Sequence, residues 1–277
     1  MPIVDAHCHL DDFFSNRLFL ESLSASNVRK VYAVSNKHKY QNWHKLIYIA
    51  CENMYVYESF GIHPKYLPEH DLNAKLIQLK SIVSKKENPV SGRPIVGIGE
   101  VGLDETSKFS IMDQKLALES QIIIARQTGL PLILHCRGHS LFRPLFDCIS
   151  SLLPTNHPIQ WHCVKSDSDL TVIDNFIFSF PNSAISLNGG TTLIKDIDQD
   201  KIFKKWIRNH PNILDHLVLE TDCPWLCPQG LSIQEYNPCT GIFVTSKWVE
   251  NTLRAPGKNA SKIIQIANHN AQKIFRF

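Results

Sequence analysis

The sequence lacks the features that would place it among membrane, secreted or strongly basic proteins. It has no apolar run long enough to span a membrane and no arm rich in lysine or arginine. The formal net charge of +3 is too small to indicate nucleic-acid binding from composition alone, although it allows a nuclease with a local basic groove. The eight cysteines include no C-x2-C pair and no short disulfide framework. We therefore expect free thiols, a cytoplasmic location with the nucleus as the alternative, and no membrane partner.

The length and composition allow a large buried core. The chain has 277 residues, of which 43% are hydrophobic and 20% are charged. This suits either one α/β barrel or two ordinary domains. The N-terminus leads straight into an apolar segment, so we expect no signal or transit peptide.

Apolar strand-like segments alternate with helical patterns along the whole chain. Strands are predicted at 1–4, 28–34, 55–60, 95–101, 132–135, 159–162, 184–187 and 217–220. Helices are predicted at 14–24, 40–51, 72–83, 110–128, 141–153, 167–178, 201–208, 245–253 and 261–275. Because no linker or internal repeat interrupts the alternation, we predict a (β/α)8 TIM barrel that forms a single domain over 1–277. The alternative is an open doubly wound sheet with a helical tail.

Potential metal ligands stand where several of these strands end. Residues two apart in an extended chain point to the same side, so His7 and His9 present two imidazoles to one point. Such a pair alone is more often a surface or structural feature than a ligand pair. Later strands, however, end in four further candidates, which are Glu100, His135, His162 and Asp222. In a barrel the ends of these strands converge on one mouth, which favours the barrel over an open sheet.

The two acidic positions have different support. Glu100 lies in an apolar, glycine-rich strand, where a buried carboxylate is costly unless it is paired or coordinated. Near the last strand, Glu220 and Asp222 face the same way by alternation, so the residues alone leave both open.

Four cysteines stand directly beside proposed ligands, at Cys8, Cys136, Cys163 and Cys223. If each ligand points into the barrel mouth, its neighbour points toward the helix layer, which accepts a small apolar side chain. Zinc ligation by these thiols is the competing idea, and their alternation with the histidines argues against it.

Several blocks of the sequence resemble those of one family. The blocks are 5–9 (DAHCH), 61–64 (GIHP), 97–104 (GIGEVGLD), 134–137 (LHCR), 162–163 (HC) and 220–226 (ETDCPWL), followed by 237–238 (NP) and 270–275 (NAQKIF). Together they resemble the TatD-type metal-dependent deoxyribonucleases over nearly the whole chain.

The resemblance implies a metallo-dependent hydrolase barrel of the amidohydrolase superfamily. It implies two divalent ions (Mg2+, Mn2+ or Zn2+), with His7, His9 and Asp222 at one, His135 and His162 at the other, and Glu100 bridging them. It also implies hydrolysis of DNA phosphodiester bonds, in the manner of a 3′-to-5′ exodeoxyribonuclease acting on single strands or ends. On this basis Asp222 and His63 are the catalytic residues: Asp222 accepts a proton, and His63, beside the substrate phosphate, orients the phosphate or assists the leaving group. Arg137 is the candidate that binds phosphate, with a surface ion pair as its alternative role. No obligate protein partner is evident.

The sequence departs from the family pattern in two places. Glu105 and Thr106 stand where the family has aromatic residues, and residues 234–236 stand where it has basic ones. We therefore expect a mouth poor in cations and a weak grip on DNA. The basic residues of the segment 201–208 are more typical of a solvated helix face than of a nucleic-acid patch.

Two alternative functions remain open from the sequence. One is hydrolysis of a lactone, an amide or another non-phosphate ester on the same scaffold. The other is a non-catalytic binding protein that retains the fold, which the complete set of candidate ligands argues against.

Overall fold

The computed structural model describes residues 2–13, 30–46 and 53–277. Eight parallel strands pair in sequence order, each with the next. They are β1 (Ile3–Cys8), β2 (Val31–Lys37), β3 (Met54–Phe60), β4 (Ile95–Asp104), β5 (Leu132–Arg137), β6 (Ile159–Trp161), β7 (Ala184–Leu187) and β8 (Leu217–Leu219). This arrangement confirms the predicted (β/α)8 barrel.

Helices surround the sheet. They are α1 (Leu10–Phe13), α2 (Leu72–Val83), α3 (Ile111–Thr128), α4 (Phe142–Leu152), α5 (Leu170–Ser179), α6 (Ile197–Asn209), α7 (Pro238–Leu253) and α8 (Ala260–Phe275). Short 3-10 turns occur at Tyr40–Asn42, Pro64–Tyr66, His139–Leu141, Gly189–Thr192 and Ile213–His216. No helix in the described ranges is long and apolar enough to cross a membrane.

Backbone hydrogen bonds just beyond the strands draw β1 and β8 together. The amide of Asp222 donates to the carbonyl of His7 at 2.9 Å, and the amide of His9 donates to the carbonyl of Cys223 at 2.8 Å. The Asp5 carboxylate adds to the closure by accepting from the amide of Thr221 at 2.9 Å. The segments that carry three candidate ligands therefore also close the barrel.

The hydrophobic core has two parts. The larger cluster lies mostly between the sheet and the helices. The smaller one combines side chains from six strands with Ala271, Ile274 and Phe275 of α8. Residues from six strands of a closed sheet meet only inside it, so this cluster fills the barrel interior. The polar residues are left at the carboxyl ends of the strands, where active sites of such barrels lie.

Several element boundaries differ from those predicted, for local reasons. Helices α6 and α7 begin earlier than expected because Asp196 and Asn237 cap their first turns with side-chain hydrogen bonds. The predicted helix at 40–51 is wrong for the part that is described. There, Trp43 Nε1 donates to the carbonyl of Lys37, and Lys37 Nζ donates to the carbonyl of Lys45, so the segment folds back onto the end of β2. The predicted helix at 14–24 lies outside the described residues.

Candidate metal centre

The six candidate ligands meet at the carboxyl end of the barrel, and His63 lies beside them. Glu100 comes from β4, and His135 comes from β5. Their two strands approach closely because position 102 is glycine: a Cβ there would lie 1.7 Å from the carbonyl oxygen of His135. The sequence thus allows β4 and β5 to bring their side chains to one point.

Four atoms form one compact group, namely Nε2 of His7, Nε2 of His9, Oε2 of Glu100 and Oδ1 of Asp222. The five separations that involve a histidine nitrogen lie between 3.0 and 3.6 Å. His7, His9 and Glu100 have the mutual spacing of side chains that can share one metal ion, and Oδ1 of Asp222 lies 3.4 Å and 3.0 Å from the two histidine nitrogens. The donor set and its spacing fit a divalent ion.

The other oxygen of Glu100 faces a second group of imidazoles. Oε1 lies 2.6 Å from Nδ1 of His135, 3.1 Å from Nε2 of His162 and 3.5 Å from Nε2 of His63. Each carboxylate oxygen of Glu100 therefore belongs to a different histidine group. Both groups satisfy the spacing of potential metal-binding side chains.

The charges of this site perturb one another strongly. Burial disfavours the imidazolium of His9, but its hydrogen bond to Asp222 and the negative charges of Asp222 and Glu100 together outweigh this and raise the pKa of His9 to about 9. Burial likewise opposes ionisation of Asp222, but hydrogen bonds from His7 and His9 hold the pKa of Asp222 well below its usual range. Without metal, the protonated His9 therefore balances the charge of Asp222.

Glu220 supports the site without joining it. It is fully buried, and its carboxylate accepts hydrogen bonds from Nδ1 of His162 at 3.0 Å and from the amide of Cys163 at 2.9 Å. Gln160, Ser186 and Asn188 also donate to it. These bonds orient the His162 ring so that Nε2 faces Glu100. Alternation along the strand could not tell which of Glu220 and Asp222 faces the candidate metal centre. In the fold, Asp222 lies next to His7 and His9, and Glu220 lies behind His162.

Asp104 is a site residue to which the sequence reasoning gave no role. Its Oδ2 lies 3.2 Å from Nε2 of His135, and its Oδ1 accepts from the amide and hydroxyl of Thr106. Burial opposes ionisation, but the hydrogen bond with His135 holds the pKa of Asp104 well below its usual range. The signal that could have found it is its place in the block 97–104, where β4 runs three residues further than predicted.

His63 is held as a neutral hydrogen-bond donor. Its Nδ1 accepts from the amide of Lys65 at 3.0 Å, so in the neutral ring the proton sits on Nε2, which points toward Glu100. Burial, together with the charge of His135, lowers the pKa of His63 to about 4.

The site opens into a cavity of about 490 Å³, here called the central cavity. Besides the histidines and carboxylates, it is lined by Tyr66, Trp225, Leu226 and five basic residues, which are Lys39, Lys65, Arg137, Lys165 and Lys195. The expectation of a mouth poor in cations was therefore wrong. Arg137 is the last residue of β5, and the other four cations come from the segments after β2, β3, β6 and β7, whereas Gln234 and Glu235 do not line the cavity.

These cations are not equally paired. Lys39 binds Asp12 at 2.9 Å, Lys65 lies 3.5 Å from Asp104, and Lys165 lies 3.4 Å from Asp167. Arg137 and Lys195 are exposed and form no ion pair with the described residues. Both also line an adjoining cavity of about 430 Å³, here called the side groove. Its other lining residues include the carboxylates Glu105 and Asp167 together with His139, Phe142, Lys165 and Gln199. Of the predicted basic helix face, Lys201 and Lys204 pair with Asp198 and Asp200 outside both cavities.

The cysteines divide into two pairs. Cys8 and Cys223 are fully buried, as expected, whereas Cys136 and Cys163 line the central cavity. The expectation that all four face the helix layer was wrong for the second pair. Cys163 lies beyond the end of β6 with a left-handed φ of 58°, so strand alternation no longer applies to it. No cysteine belongs to the groups of potential metal ligands among the described residues, and no disulfide joins them.

Comparison with known families agrees with this geometry. The family model described as TatD related DNase matches residues 4–276. The chain belongs to the TatD family. Among TatD-family relatives, it is 24% identical to the human 3'-5' RNA nuclease TATDN2 over 243 residues, covering 82% of this chain and 29% of the human protein. It is 28% identical over 187 residues to the 3'-5' ssDNA/RNA exonuclease TatD of Edwardsiella piscicida, covering 66% of each chain. The match to the Pantoea ananatis TatD is 24% identical and covers 80% of this chain and 78% of the relative.

The alignment thus spans less than a third of the human relative and just under two thirds of the E. piscicida one. Solved structures share the fold. YJJV, a TatD homologue of Escherichia coli K12, superposes with a TM-score of 0.76 at 22% identity, covering 99% of this chain and 98% of that one. The E. coli phosphotriesterase homology protein, solved with phosphate in its active site, gives a TM-score of 0.65 at 13% identity, covering 99% and 98%.

Proposed function

We propose that this TatD-family protein is a divalent-metal-dependent nuclease that hydrolyses phosphodiester bonds of DNA from the 3′ end of single strands. The observation that carries the proposal is that the two oxygens of Glu100 face separate groups of histidines. This arrangement supports two ions that share one carboxylate. Mg2+, Mn2+ and Zn2+ are the candidates, and the imidazoles favour the latter two by chemical affinity.

In this proposal the chain's residues have distinct tasks. His7, His9 and Asp222 would hold one ion, His135 and His162 would hold the other, and Glu100 would bridge them. When bound, the ions would acidify a water molecule and neutralise charge that develops on the phosphate. Asp222, which is ionised because His7 and His9 stabilise its charge, accepts the proton of the attacking water.

The remaining residues bind and orient the substrate or the ligands. His63 donates from Nε2 to a phosphate oxygen, since burial and the charge of His135 keep it neutral. Arg137 binds a phosphate of the strand through its guanidinium. Asp104 and Glu220 keep His135 and His162 in the orientations that face Glu100.

The five cations of the central cavity support an anionic substrate. The fold alone does not distinguish a nuclease from a lactonase, because a lactonase from Deinococcus radiodurans gives a TM-score of 0.60 at 11% identity. Hydrolysis of a lactone or another neutral ester remains the second candidate, favoured only by this fold likeness. We further propose that residues 1–277 form a single domain that works in the cytoplasm, with the nucleus as the other candidate compartment.

A substrate panel tests the proposal. Purified protein reconstituted with each metal is given 5′-labelled single-stranded DNA, the matching RNA, and a panel of lactones and amides, with and without EDTA. We expect ladders that shorten from the 3′ end, lost with EDTA and in Asp222→Asn. Cleavage of RNA alone would overturn the DNA assignment. Turnover of lactones with no cleavage of nucleic acid would overturn the nuclease assignment.

A further inference from the structure

An aromatic side chain stands open at the wall of the central cavity. Trp225 is 54% exposed and lines the cavity that contains Glu100 and Asp222. Resting on the nuclease function proposed above, we propose that Trp225 stacks against the base of the nucleotide whose phosphate is cleaved. The site would then recognise a strand end by its base as well as by its phosphate.

The backbone holds Trp225 close to the proposed metal ligands. Its amide donates to the carbonyl of Asp222 at 2.8 Å, so both residues belong to one tight turn. The same turn is tied to β1 through the bond from the His9 amide to Cys223. A base that rests on Trp225 therefore belongs to a nucleotide at the centre and not to one further along the strand.

The turn is also pressed against the loop after β7. A Cβ at Gly189 would lie 2.1 Å from the carbonyl oxygen of Leu226, so glycine is required for this approach. Nearby, the amide of Gln229 donates to the hydroxyl of Thr192 at 2.7 Å. Because the backbone on both sides of Trp225 is fixed, little conformational entropy is lost when a ligand packs on the indole.

The faces of the indole are available. No ring in the described part of the chain stacks on Trp225, although most of its other large aromatic side chains pack against one another. A planar ring that is exposed at a site wall is a platform for a nucleic-acid base, and such stacking tolerates every base because each has a π-face.

The charges beside Trp225 indicate a polyanion as the ligand. Lys195 follows β7, next in barrel order to the β8 loop that carries Trp225, and it lines both the central cavity and the side groove. Arg137 also lines the groove and, like Lys195, forms no ion pair with the described residues, whereas Lys165 lies 3.4 Å from Asp167, which lines the groove together with Glu105. A single strand can therefore place its terminal base on Trp225 and its following phosphates along the groove.

Binding to base-bearing and base-free ends tests the proposal. The probes are two 5′-labelled single-stranded oligonucleotides, one ending in an ordinary 3′ nucleotide and one ending in an abasic nucleotide. Dissociation constants are measured by fluorescence anisotropy in EDTA, and KM and kcat are measured with metal. For the unmodified protein we expect about tenfold weaker binding of the abasic end, since base–aromatic stacking contributes roughly fivefold to 150-fold per base.

Variants assign that difference to Trp225. Trp225→Ala should weaken binding of the ordinary end about tenfold and raise KM more than it lowers kcat, whereas Trp225→Phe should restore most of the affinity. For the abasic end, the dissociation constants of Trp225→Ala and of the unmodified protein should be nearly equal. Phe178→Ala is the matched control, because Phe178 is 90% exposed on α5 and lines neither cavity.

If Trp225→Ala lost the same amount of affinity for the ordinary and the abasic end, or lost none for either, the role of Trp225 would be overturned. If Trp225→Ala folds poorly, equal binding of the two ends by the unmodified protein still overturns the proposal, and Trp225→Leu, which keeps apolar bulk but no aromatic ring, assigns any difference to Trp225. Absence of cleavage of every oligonucleotide by the metal-loaded protein would instead refute the proposed function, which keeps the two failures distinct.

Discussion

The buried carboxylate of Glu220 lies 3.0 Å from Nδ1 of His162, while Nε2 of the same ring lies 3.1 Å from Glu100. One ring nitrogen of His162 thus contacts Glu220, and the other points into the candidate metal centre. Carboxylates in this position set the tautomer and orientation of a ligating histidine. Burial opposes protonation of His162, but the charges of Glu220 and Glu100 hold its pKa well above its usual range.

This relationship predicts that Glu220→Gln weakens one metal site selectively. Loss of the charge behind His162 should lower affinity for the second ion by about 10- to 100-fold, while the group of His7, His9 and Asp222 keeps its ion. Metal content after dialysis against graded metal concentrations gives the result. Glu87→Gln, at an exposed position away from the site, is the control. Equal loss of both ions would contradict the prediction.

Glu100→Gln should lower the occupancy of both sites and abolish activity, because each oxygen of Glu100 faces a different histidine group. The structure also predicts a less stable metal-free protein. The sequence alone suggests little loss, since an unpaired buried carboxylate would be relieved, but Glu100 is paired with His135 and His162. Elemental analysis and thermal unfolding in EDTA test both statements. A variant that retains two ions and near-normal turnover would refute the bridging role.

The pKa values predict opposite effects of pH on metal binding and on metal-free stability. With a pKa of about 9, His9 is protonated in the metal-free fold at neutral pH, so metal binding must release protons and should tighten as pH rises. Calorimetry in buffers of different ionisation enthalpy measures the protons released. An affinity for Mn2+ that does not change between pH 6.5 and about 9 would contradict this expectation.

Without metal the same group stabilises the fold at low pH. Because the folded pKa of His9 is above the unfolded value of 6.5, its contribution is fully present below 6.5 and is lost as pH rises through about 9. We therefore expect the free energy of unfolding in EDTA to fall over that window. Denaturant titrations at several pH values test this, and saturating metal should remove the trend.

The exposed cations predict how nucleic-acid affinity depends on salt. Arg137→Gln should weaken binding of all single strands similarly and lower the slope of log affinity against log salt by about one. Lys201→Gln is the matched control, because Lys201 pairs with Asp198 outside both cavities. The double variant Gln234→Lys and Glu235→Lys should leave KM unchanged, since neither residue lines the central cavity. A lower KM would show that this loop reaches the substrate.

The order of apolar segments determined the barrel, because alternating strands and helices without a linker can bury their apolar faces in few other ways. It also determined which side chains stand at the strand ends, and His7, His9, Glu100, His135 and His162 all meet there. These features depend on local periodicity, which the sequence expresses directly.

Residue alternation left Glu220 and Asp222 both open, the family resemblance favoured Asp222, and only the tertiary structure shows the physical reason. The two share a parity along the chain, but β8 ends at Leu219 and Asp222 has a left-handed φ of 59°, so its side chain turns toward His9 while Glu220 stays beneath His162. It likewise brought Arg137, at the end of β5, together with Lys165 and Lys195 from the segments after β6 and β7. Long-range closure of the barrel sets such proximities, and no local pattern in the sequence records them.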